Sequence, residues 1–216
     1  MRFTYPFEKT FIVALGLALF AVQSVRADSY TALVIGDSIS AAYGLDEQQG
    51  WVNLAEQSLA REGHEVTFVN ASISGDTTAG GLRRLPDALE RFNPDLVILE
   101  LGGNDGLRGY PVNAMRDNLV KMAELAQEQG ADVLILGMMI PSNYGQAYLK
   151  MFAQAFVDAA EATNSAFIPF LLEPIAQNRE FFQADGIHPT AEAQPLMVEH
   201  VMPELLEILE SAEALE

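Results

Sequence analysis

His188 stands between Ile187 and Pro189 in the stretch QADGIHPTAEAQP, residues 183–195, three positions after Asp185. A histidine and a carboxylate at that spacing suit general-base chemistry. A turn at Asp185-Gly186 can return the carboxylate to the ring Nδ1, which fixes the tautomer that leaves Nε2 free. Pro189 disfavours helical backbone for the residue before it and so holds the imidazole in an extended segment. The same residues also describe an ordinary turn with Thr190 capping the next helix, so the pair needs a group to act on. The chain has three histidines. His64 precedes an apolar run and His200 lies deep in the last amphipathic segment, which leaves His188 as the base. The matching nucleophile is Ser38, in GDSIS at 36–40. A serine hydroxyl reacts only when a base takes its proton, and Ser40 is available as the local helix cap, which frees Ser38.

Acyl transfer also needs donors for a developing oxyanion. The Ser38 N–H is one candidate. Gly75, in NASISGD at 70–76, is a second, because glycine lets backbone approach a ligand closely. The side-chain amide of Asn104, in GGNDG at 102–106, is a third. Each loop alone reads equally well as turn chemistry.

Five short apolar runs must position these groups: 32–35, 66–69, 96–99, 133–136 and 166–168. They do not alternate polar with apolar, as expected for strands buried on both faces. Their starts lie 34, 30, 37 and 33 residues apart, the length of a strand-helix unit. Met115, Leu119, Met122 and Ala126 share one helical face, closed by Gly130. Tyr148, Phe152, Ala155 and Ala159 share another, as do Val198, Val201, Leu205 and Ile208. In 77–92, Pro86 is expected to break or start a helix. The pattern predicts one α/β domain with a parallel sheet, whose ligand site lies at the carboxyl ends of the strands. Four polar, glycine-rich loops follow strands one, two, three and five and converge there.

Residues 1–27 read as a secretory signal peptide: Arg2 and Lys9, an apolar run at 11–22, and Val25-Arg26-Ala27 at the cleavage site. That run is too short to span a membrane, and the domain proper is 28–216. Removing the signal takes the formal charge from −18 to −20, which disfavours nucleic acid and anionic membranes as partners. With no cysteine, thiol chemistry and cysteine-ligated metals are excluded. No metal or cofactor is expected. The destination is the periplasm or the extracellular space, and a monomer is favoured.

The blocks GDSIS, NASISGDT, GGNDGLRG and DGIHP, in that order, resemble the GDSL or SGNH hydrolase family, over nearly the whole mature chain. The likeness is strongest to its periplasmic multifunctional esterases, described as acyl-CoA thioesterase I, protease I and lysophospholipase. Ile39 stands where the family's name has leucine. The resemblance implies a three-layer, flavodoxin-like fold with strand order 2-1-3-4-5. It implies a triad of Ser38, Asp185 and His188, an oxyanion hole of Ser38, Gly75 and Asn104, and acyl-ester or thioester substrates, lysophospholipids among them. Met138-Met139-Ile140 either receives the acyl chain or packs the core. The alternatives are a carbohydrate O-deacetylase of the same family and a non-catalytic flavodoxin-like binding domain. A receiver domain would need a lysine at the rim, but Lys121 and Lys150 fall within helices. The α/β-hydrolase signature G-x-S-x-G lacks its final glycine here.

Overall fold

The computed structural model describes Met1 and residues 30–214. The signal sequence and its cleavage site lie outside these residues. Five parallel strands form one sheet: β1 (Tyr30–Gly36), β2 (Val66–Asn70), β3 (Leu96–Glu100), β4 (Asp132–Leu136) and β5 (Ala166–Ile168). Their order is β2-β1-β3-β4-β5, as the family resemblance implies. All five apolar runs lie within these strands. β1 and β3 carry the centre of the sheet, and Leu33, Ile35, Ile98 and Leu99 are wholly buried. Each such side chain stabilises the fold by about 1.5–3 kcal/mol relative to exposure.

Six helices cover the sheet: α1 (Trp51–Glu62), α2 (Thr78–Phe92), α3 (Gly103–Leu107), α4 (Val112–Glu128), α5 (Gln146–Thr163) and α6 (Gln194–Glu213). α1 packs with α6, while α4 packs with both α2 and α5, which gives the three-layer α/β/α arrangement. The residues named above for the faces of α4 and α6 are buried, as are Phe152, Ala155 and Ala159 of α5, with Tyr148 half-buried. Among the described residues no helix is long and apolar enough to cross a membrane.

Two local expectations need correction. Pro86 neither breaks nor starts a helix, because α2 runs through it from Thr78 to Phe92. The missing Pro86 N–H forfeits one bond, but the ends and buried face of α2 outweigh that loss. Thr77 caps the helix by accepting from the Gly80 N–H, Asp105 accepts from both the N–H and the hydroxyl of Thr78, and Leu85 and Leu89 are buried. Thr190, in turn, does not cap the last helix. It precedes a single 3₁₀ turn, Ala191–Ala193, and makes no side-chain cap bond.

The sheet order decides where a site can form. β1 lies between β2 and β3, so successive connections leave it in opposite directions and open a crevice at its carboxyl end. In the register, Gly36 pairs with Glu100. The loops that begin at Asp37 and Leu101 therefore leave the sheet side by side.

Candidate active site

Ser38 leaves β1 in a tight turn in which the Ala41 N–H donates to the Asp37 carbonyl (3.0 Å) and the Tyr43 N–H to the Ser38 carbonyl (3.0 Å). Its hydroxyl lies 2.9 Å from His188 Nε2, across 150 residues of sequence. His188 Nδ1 lies 2.7 Å from Asp185 Oδ2. The other carboxylate oxygen of Asp185 accepts from the N–H groups of Ile187 (2.9 Å) and His188 (3.1 Å), so the turn after Asp185 folds back on the carboxylate as its sequence suggests. The His188 ring N–H, followed by these two backbone donors, pulls the Asp185 carboxyl down to about 2. Asp185 therefore stays ionised at neutral pH.

The histidine loop is tied to the serine loop by a residue the sequence did not single out. Gln183 Nε2 donates to the carbonyls of Tyr43 (2.7 Å) and Pro189 (3.0 Å). The Tyr43 ring lies against the His188 imidazole at 4.4 Å between centroids, so Tyr43 limits the ring on one side. No motif marks Tyr43 or Gln183, because both act through contacts remote in sequence. The other two histidines are placed as expected: His64 sits between α1 and β2, and His200 Nε2 bonds the Phe170 carbonyl (3.1 Å).

Ser38, Gly75, Asn104 and His188 line one cavity of about 870 Å³. Gly75 holds φ +78°, a left-handed conformation that glycine adopts without strain. Asn104 Nδ2 donates to Asp37 Oδ2 at 2.8 Å, and the second hydrogen on that nitrogen remains for another acceptor. The apolar part of the cavity is formed by Leu107, Met138, Met139, Ile140, Phe170 and Leu172. Met138 and Ile140 are buried while Met139 is exposed, so the segment both packs and lines the cavity.

Residues 34–195 match the sequence model of the GDSL-like Lipase/Acylhydrolase family. Esterase TesA of Pseudomonas aeruginosa is 47% identical over 194 residues, covering 90% of this chain and 96% of that protein. This chain belongs to the GDSL-like lipase/acylhydrolase family. As a member it is a hydrolase acting on ester bonds. Thioesterase 1/protease 1/lysophospholipase L1 of Escherichia coli is 34% identical over 189 residues, 88% of each chain. The crystal structure of the psychrotrophic esterase EstA from Pseudoalteromonas sp., inhibited by monoethylphosphonate, superposes with a TM-score of 0.80 at 40% identity, covering 83% of this chain and 98% of that one.

The second letter of the GDSL name is Asp37, and its environment is unusual for a carboxylate. It is buried, and burial raises its pKa to about 6 against the opposing pull of the Ile39 N–H and the Asn104 amide. The ordinary aspartate value is 3.8, so the folded state holds the proton more tightly than the unfolded chain. The ionised form thus costs stability above about pH 6, and the cost fades as pH falls toward about 4. Asp37→Asn lacks this titration. The melting temperature of the natural protein relative to Asp37→Asn is therefore expected to rise as pH is lowered from about 7.5 to about 4.5. A difference independent of pH across that range, in paired thermal melts, would refute the assignment.

Proposed function

We propose that the protein is an exported serine esterase and thioesterase that works through an acyl-enzyme on Ser38. The observation that carries this reading is the chain of contacts from Ser38 Oγ to His188 Nε2 (2.9 Å) and from His188 Nδ1 to Asp185 (2.7 Å), at the edge of an apolar cavity. Ser38 gives its proton to His188 as Oγ attacks the acyl carbonyl. The oxyanion is received by the N–H groups of Ser38 and Gly75 and by the Asn104 amide. The His188 imidazolium then protonates the leaving alkoxide or thiolate, and water repeats the sequence to release the acid. Inhibition of EstA by a phosphonate supports the reading, because phosphonates trap nucleophilic hydroxyls as tetrahedral adducts.

The apolar cavity suits the acyl chain of a lysophospholipid, a free ester or a thioester. An O-deacetylase acting on carbohydrates would need a small acyl pocket beside a polar sugar cleft, which the side chains from Met138 to Ile140 do not offer. Intact acyl-CoA is cytosolic, so an exported copy meets lysophospholipids and free esters.

A fluorophosphonate probe applied to cells expressing the full chain tests both parts. Peptide mapping should place the label on Ser38, and the labelled protein should begin at Asp28. Label on Ser40 or Ser72 would overturn the nucleophile. An intact N-terminus in the membrane fraction would overturn export with cleavage.

A further inference from the structure

One buried carboxyl beside the site has no part in the acyl-transfer steps above. Glu100 ends β3 and is wholly buried. A single oxygen, Oε2, accepts from the Asp37 N–H (3.2 Å), the Ser40 N–H (3.3 Å) and the Ser40 hydroxyl (2.7 Å). The Ser40 hydroxyl in turn accepts from the indole N–H of Trp51 (3.1 Å), a buried residue of α1. Ser40 is therefore an inward-facing link and not the helix cap that its position suggests. Its carbonyl accepts from the Asn70 side-chain amide (2.8 Å), and Asn70 Oδ1 accepts from the Ser72 N–H (3.2 Å).

This network touches each loop that carries a proposed oxyanion donor. Asp37 and Ser40 flank Ser38 and Ile39, Ser72 lies in the loop that carries Gly75, and Glu100 ends the strand that leads into α3 with Asn104. The close approach depends on Gly36. A Cβ there would lie 2.7 Å from Ser40 Cβ, 2.7 Å from Ser72 Oγ and 2.9 Å from Glu100 Oε2.

We propose that Glu100 is a positioning residue for the oxyanion hole. By gathering the N–H groups of Asp37 and Ser40 at one point it fixes the Gly36–Asp37 and Ile39–Ser40 peptide planes, which bracket the Ser38 turn. Through Ser40 and Asn70 it also steadies the loop that presents Gly75. This rests on the triad reading and deepens it.

A donor helps an oxyanion only if distance and angle are right, and hydrogen bonds weaken steeply once misaligned. A hydrophobic residue would pack at this strand end at lower desolvation cost, but it would strand three donors in a dry interior. The cost of the carboxyl is visible: burial, with the neighbouring Asp37 carboxyl adding to it, pushes the Glu100 pKa well above the ordinary glutamate range. What the carboxyl contributes is a rigid acceptor at a fixed reach from β3.

The test compares Glu100→Gln, Glu100→Asp and Glu100→Leu in the full chain, with kcat and KM on a nitrophenyl ester expressed per fluorophosphonate-titrated site. Glu100→Asp withdraws the acceptor by one methylene and should lower kcat by about 10- to 100-fold with little change in KM. Glu100→Leu should lose at least as much. Glu100→Gln keeps an oxygen at the same reach and should recover most of that loss. In an Asn104→Ala background the cost of Glu100→Asp should shrink, because the hole is already impaired.

Wild-type kcat per titrated site in Glu100→Asp would overturn the proposal, whatever the melting temperature does. So would a loss in Glu100→Gln as large as in Glu100→Asp, or full additivity with Asn104→Ala. If Glu100→Leu does not fold, the Gln and Asp pair decides. Failure of the underlying triad reading shows separately, as turnover that survives Ser38→Ala.

Discussion

Ser38→Ala is expected to lower kcat by about 10⁴- to 10⁶-fold with the fold intact. The hydroxyl makes its bond to His188 Nε2 at the edge of the cavity, so its removal strands no buried donor and should barely move the melting temperature. His188→Ala should cost a similar factor. The double mutant should be no worse than either single one, because nucleophile and base act as one unit. Asp185→Ala should cost less. Its carboxylate is partly exposed, and water can take over some of its orienting role. A stopped-time assay on a short-chain nitrophenyl ester, paired with thermal melts, measures all four. Ser38→Ala retaining more than about one part in a hundred of wild-type turnover would remove Ser38 from the mechanism.

Asn104→Ala is expected to reduce kcat by about 10²- to 10³-fold, equivalent to about 2.7–4 kcal/mol, with a much smaller change in KM. A donor to the oxyanion matters most once negative charge has formed, so the loss belongs to the transition state. Fluorophosphonate labelling of Ser38 should slow but persist, since the nucleophile and base remain. Asn104→Asp should do at least as badly. It would place a second carboxylate against Asp37, at the position where Nδ2 now donates over 2.8 Å. That contact also changes how the experiment is read. Were Asn104 to touch only the oxyanion, its removal would leave the melting temperature unchanged. In the folded protein Asn104 also satisfies a buried carboxylate, so its removal should lower the melting temperature as well. The discriminating quantity is kcat per labelled site, and a value near wild type would exclude the amide from the hole.

The sequence by itself determined the strands, the loops that follow them and the identities of the triad candidates. Apolar runs such as Leu96–Leu99 are long enough for a strand and too uniformly apolar to tolerate a solvent face, so sheet burial follows from composition. The glycine-rich loops advertise themselves because tight turns admit few residues, and Asp185-Gly-Ile-His188 is local enough for its own turn to pair the two side chains. Pro86 departs from its local pattern for the complementary reason: local propensity resists helix there, and the capping by Thr77, the Asp105 anchor and the buried face of α2 prevail only after folding.

What only the tertiary structure decided are the contacts that join distant segments. Ser38 and His188 are 150 residues apart. Their bond exists because β1 and the loop after β5 end at the same rim of a sheet ordered 2-1-3-4-5. Tyr43 against His188, Gln183 bridging two loops, and Asp37 holding Asn104 carry no sequence signature of their own, since the same residue types would serve as ordinary surface or turn residues elsewhere. Glu100 is the clearest case. At the end of an apolar strand it reads as the first polar residue of a loop. Only the register that sets it beside Gly36 shows a carboxyl sealed from water, where three donors converge on one oxygen. Its position follows from sheet pairing, and a one-dimensional pattern does not contain the pairing.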